Sequence, residues 1–122
     1  MINFLFLLAT ATASDVYEIC RLEKQKWSDQ KQVFETNSTR TYVSYQSIQI
    51  ILHENTFEVD REAHIILNRF KSSSGLSCWR ENKNSFLCYD KNSKSILWEW
   101  SKRNGDIHRD VLRVCKFNGE GV

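Results

Sequence analysis

The sequence contains no proline and only four glycines in 122 residues. Inter-domain linkers and low-complexity tracts are rich in these residues, so the chain is read as one compact unit. It has no Cys-x-x-Cys pair with zinc-site spacing, and so no zinc site is expected. It also has no Gly-x-Ser-x-Gly, no His-Glu-x-x-His and no glycine-rich phosphate loop. Charge is nearly balanced, with 17 basic and 15 acidic residues and no block of one sign. A net charge of +2 steers a polyanion only if it is clustered, so no nucleic-acid partner is expected. No sustained helical period appears beyond the first residues, which leaves an all-β reading.

The opening segment has a separate meaning. Ile2 to Ala13 is largely apolar and uncharged, and closes on the small-x-small triplet Ala11-Thr12-Ala13. It falls short of the ~20 residues that span a bilayer. Residues 1–13 are therefore read as a signal peptide, leaving 14–122 as a single domain without a membrane span, secreted or periplasmic. All four cysteines, Cys20, Cys78, Cys88 and Cys115, lie after it, as expected of a disulfide framework in an oxidising compartment.

The pairing follows from the stretch Leu76 to Ser101. Three strand-length runs, Leu76 to Glu81, Ser85 to Asp90 and Ser95 to Ser101, are separated by Asn82-Lys83-Asn84 and Lys91-Asn92-Ser93-Lys94. They read as two consecutive β-hairpins. With Asn84 left-handed in a three-residue loop, Glu81 faces Ser85, Trp79 faces Leu87 and Cys78 faces Cys88. Opposed Cβ atoms sit about 4.5 to 5.5 Å apart, near disulfide reach. Cys78 is thus paired with Cys88, and Cys20 with Cys115 across the first and last strands. With Asp90 opposite Ser95, alternation gathers Trp79, Leu87, Tyr89, Ile96, Trp98 and Trp100 on one face, the expected core face.

Elsewhere the signals are coarser. Asp15 to Leu22 is taken as a strand with Val16, Cys20 and Leu22 on one face, and polar Glu23 to Gln32 as an exposed turn or irregular arm. Val33 to Glu35 reads as a short strand, and Asn37-Ser38-Thr39 as a turn that forms a glycosylation sequon in a eukaryotic host. Tyr42 to His53 places Ile48, Ile50 and Leu52 on one strand face; Phe57 with Val59 and Ala63 to Phe70 return the chain. Asn104-Gly105 is a hairpin signal before a last strand, Ile107 to Phe117, whose register is open by one residue. That residue decides whether His108, Leu112 and Val114, or Val111, face the tryptophans. The expected fold is an antiparallel meander of about eight strands forming a small closed or curled barrel, with a β-sandwich as the alternative. Leader, early cysteine, meander and late cysteine together loosely resemble small exported barrels of the lipocalin and lysozyme-inhibitor kinds; no motif maps residue by residue, so the resemblance implies no site.

Two groups of residues could carry chemistry. Trp79, Tyr89, Trp98 and Trp100 would serve either as core or as a platform for a protein, a glycan or a small apolar ligand; Trp100, at a strand end opposite Ser85, is the best rim position. His53, His64 and His108 stand among charged residues. A His-dependent hydrolase acting on RNA or cell-wall material requires them within hydrogen-bond reach of one another or of a carboxylate. Lys91, Lys94, Lys102 and Arg103 read as solvated turn charges. The expected function is a binding or inhibitor module without cofactor or catalysis, against that hydrolase and a structural envelope protein.

Overall fold

The computed structural model describes residues 15–43 and 48–118. The segment read as a signal peptide lies outside the described residues. Ten strands follow in chain order: β1 (Asp15–Ser28), β2 (Val33–Thr41), β3 (Ile48–Leu52), β4 (Thr56–Val59), β5 (Glu62–Ile65), β6 (Asn68–Lys71), β7 (Ser77–Asn82), β8 (Ser85–Asp90), β9 (Ser95–Ser101) and β10 (Ile107–Asn118). All ten belong to one antiparallel sheet, in the order β5-β4-β3-β1-β10-β9-β8-β7-β6, with β2 paired to β1 off this path.

The sheet is curled rather than closed. The two ends of that order, β5 and β6, are consecutive in the chain, joined through Ile66 and Leu67. Ile66 donates its N–H to the Asn55 carbonyl beside one edge, and Leu67 donates to Arg80 on the other. A single segment thus divides its hydrogen bonds between the two ends of the ladder, and no rungs remain to zip β5 against β6. Side chains reinforce the curl: Arg69 of β6 donates to the Glu54 carbonyl at 2.6 Å. The run Ala63 to Phe70, expected as one strand, is for this reason two.

The inner face holds the core. Tyr17, Ile19, Leu22, Ile50, Phe57, Ile66, Leu87, Ile96, Leu112 and Val114 are buried together, with Trp79, Tyr89 and Trp98 packed against them. Ile48 and Leu52 join from the β3 face that sequence alternation indicates. In β1 the expected face is corrected. The ladder to β10 shifts register around Cys20, so Tyr17 and Ile19 point inward before the bulge and Leu22 after it. Polar Glu23 to Gln32 divides: β1 runs on to Ser28, because its far half is held between β2 and β10, and only Asp29 to Gln32 form the exposed turn. Asn37-Ser38-Thr39 likewise lies within β2, which pairs with β1 although nearly every residue of it is exposed.

Both disulfides are present, Cys20 with Cys115 and Cys78 with Cys88. They fit folding in an oxidising compartment. The hairpin pairs Trp79 with Leu87, Cys78 with Cys88, Tyr89 with Ile96, Leu87 with Trp98 and Ser85 with Trp100, as the sequence indicates. The first turn differs. Asn82 pairs with Ser85, Glu81 is the extra residue of a bulge, and Asn84 is not left-handed but donates its N–H to Asn82 Oδ1 at 2.8 Å. The Asn82 side chain closes the turn without a left-handed residue, and the bulge takes up the odd residue.

Candidate functional site

The register of the last hairpin decides what the mouth of the curled sheet contains. Gly105, at a φ of 92°, takes the left-handed position in the 102–106 turn, and His108 pairs with Trp100, Asp110 with Trp98 and Leu112 with Ile96. The inward face of β10 therefore runs His108, Asp110, Leu112 and Val114, apolar toward the core and ionisable toward the mouth.

At that end lies a cavity of about 490 Å³. One wall is Glu81 and Asn82 of β7, Asn84 of the turn and Ser85 of β8; the other is Trp98, Trp100 and Ser101 of β9 with Asp110 of β10. The bulge at Glu81 is what turns its carboxylate toward β5. There His64 Nδ1 meets Glu81 Oε2 at 2.5 Å, while Ser85 Oγ donates to Glu81 Oε1 at 3.0 Å. The Trp98 indole N–H in turn donates to Ser85 Oγ at 3.1 Å. Indole, hydroxyl, carboxylate and imidazole thus form one connected network that fixes the Trp98 ring.

Aromatic packing continues this wall. His64 stacks on Phe57 with ring centroids 4.9 Å apart and meets the Trp98 edge at 5.5 Å. Trp98 contacts Trp100, and His108 stacks on Trp100 at 5.6 Å. Asp110 differs from Glu81. Its Oδ1 is buried with no hydrogen-bond partner among the described residues, as is Nε2 of His108. Burial raises the Asp110 pKa above the ordinary aspartate value, with the charges of Lys24 and His108 pulling the other way.

Of the four aromatics singled out in the sequence, Trp98 and Trp100 line this cavity. Trp79 packs on the core, and Tyr89 packs on Tyr17 with centroids 5.2 Å apart, at the end of β8 away from the mouth. Among the histidines, His64 reaches Glu81, and His53 Nε2 meets Glu58 Oε2 at 2.6 Å. The basic turn residues are split between the two ends of β9, Lys91 and Lys94 before it, Lys102 and Arg103 after it. Ser85 was foreshadowed by its place opposite Trp100. Glu81 and Asp110 were not, because one depends on a bulge and the other on the open register.

Among the described residues, no group of three or more His, Cys, Asp or Glu is placed to hold a metal ion, and no helix is long and apolar enough to cross a membrane. No protein-family pattern, curated protein or solved structure matches this chain.

Proposed function

We propose that this chain is an exported binding module that takes a small ligand in the mouth of its curled sheet. The carrying observation is the cavity of about 490 Å³ walled by two indoles and by amide, hydroxyl and carboxylate groups. Small-ligand sites commonly enclose about 300 to 1,000 Å³ and combine apolar surface with a few convergent polar groups. The mixture favours a polar ligand with a ring or hydrocarbon face, such as a glycan or a functionalised ring, over a purely apolar one. Trp98, held by Ser85, offers a fixed stacking surface, and Trp100 at the rim completes it. The two disulfides support export, and so does the apolar segment 1–13, read from the sequence as a signal peptide. In the test, the oxidised protein is screened against saccharides and small ring compounds by ligand-observed NMR and indole fluorescence. Hits are expected to quench indole emission and to be lost in Trp100→Ala. An empty screen, or hits that survive Trp100→Ala, refutes the reading.

One observation favours a second reading, a His-dependent hydrolase. His64 is oriented by Glu81 beside the same mouth, as a general base would be. Against it, the Ser85 hydroxyl donates to Glu81 rather than to the imidazole, so the order of nucleophile, base and orienting acid is not formed. Turnover of RNA or cell-wall substrates that is lost in His64→Ala would establish this reading instead.

A further inference from the structure

We infer that the ligand of the mouth is an organic cation, a protonated amine on a ring or other apolar body, received by the Asp110 carboxylate and the Trp98 and Trp100 indoles. This rests on the reading of the mouth as a ligand site and adds the charge of what binds there.

The sign of the cavity is the first argument. The chain as a whole carries +2, yet the charged residues lining this cavity are Glu81 and Asp110, both acidic. Local charge therefore runs opposite to the overall balance. An anionic ligand would face two carboxylates, and a cation would be drawn in.

The second argument is how the two carboxylates are used. Glu81 is occupied: one oxygen meets His64 and the other accepts from Ser85. Asp110 keeps a buried oxygen, Oδ1, without a hydrogen-bond partner among the described residues. Around it stand Trp98 opposite on β9, Lys24 opposite on β1 and His108 two residues earlier on its own strand. Lys24 is exposed and does not line the cavity; burial raises the Asp110 pKa, and the Lys24 charge only partly opposes that without a hydrogen bond to Oδ1. A buried acceptor left unpaired is costly, and because Asp110 lines the cavity, a ligand donor that its carboxylate turns to meet removes that cost. If the donor is an ammonium, the hydrogen bond is charge-assisted. The indole faces add cation–π attraction to the same charge and stacking to the body that carries it.

Matched pairs test the charge separately from the site. Phenethylamine and phenethyl alcohol share a ring and differ in the cation; glucosamine and glucose do the same on a sugar. Titrated calorimetrically into the oxidised protein at neutral pH, the amine of at least one pair is expected to bind about ten-fold or more tightly than its neutral partner. Asp110→Asn is expected to erase that difference, with a thermal midpoint no lower than that of the parent protein as the check that the fold persists. Neutral members binding as well as the amines would overturn the cation and leave the ligand site standing. Amine binding that persists in Asp110→Asn would overturn the role of Asp110. No binding by any of the four, together with an empty ligand screen, would overturn both readings.

Discussion

The disulfide between the first and last strands gives the sharpest stability prediction. Cys20 and Cys115 are separated by 95 residues, Cys78 and Cys88 by 10. In the loop-entropy description, the long closure is worth about 4.7 kcal/mol and the short one about 2.7 kcal/mol, both through the unfolded chain. The native state has little need of the long bond, because β1 and β10 are already paired from Val16 with Asn118 to Lys26 with His108. Cys20→Ser/Cys115→Ser is therefore expected to keep the native near-ultraviolet circular dichroism. With Cys115 exposed and Cys20 partly so, serine at these positions adds little burial cost of its own. Domains of this size are stable by about 5–15 kcal/mol, so the loss removes a third or more of the total. With a urea slope near 2 kcal/mol per molar, the midpoint falls by roughly 2 M. Equilibrium urea unfolding of parent and variant measures this directly. A loss below about 1 kcal/mol would refute the reasoning, because it would mean the unfolded chain gains almost no freedom from opening the loop. The same exposure orders the two bonds under limiting reductant: Cys20–Cys115 opens first, since Cys78 and Cys88 are only 1% and 3% exposed.

Two further predictions concern the inner face. Phe57 is fully buried and carries the stacked His64 ring, so Phe57→Ala is expected to cost about 3–5 kcal/mol by thermal or urea unfolding; a cost under 1 kcal/mol would show that the site collapses to fill the space. Tyr17 is buried beside Asp15 and Tyr89, and burial first, then those charges, hold its phenol pKa far above the ordinary value. The folded state therefore keeps a proton that the unfolded chain gives up near pH 10, so stability is undiminished below about pH 10 and falls as pH rises above it. An ultraviolet titration of tyrosinate is expected to show Tyr17 ionising only as the protein unfolds. Its ionisation in the intact fold, with no loss of stability, would contradict the burial argument.

Sequence alone determined the local scaffold. Alternation is a strict two-residue rhythm, so with Cys78 opposite Cys88 the paired side chains of the three strands take their faces, and those faces stand in the structure except at the Glu81 bulge beside the first turn. The same opposition left Cys20 to Cys115 and so brought the first strand beside the last. Tertiary structure decided what breaks that rhythm and what joins distant strands. The bulge near Cys20 moves Tyr17 and Ile19 inward against the expected face, because neighbouring strands on both sides fix the ladder of β1. Sheet pairing likewise keeps Glu23 to Ser28 extended despite its polarity, an effect that local composition does not encode. The mouth depends on both kinds of long-range choice. The Glu81 bulge aims a carboxylate at His64, 17 residues away, and the β9–β10 register places Asp110 opposite Trp98. Trp98 and Trp100 were legible as a pair on one face; the acidic groups beside them were not, because a one-residue slip in a strand sends a side chain to the opposite side of the sheet.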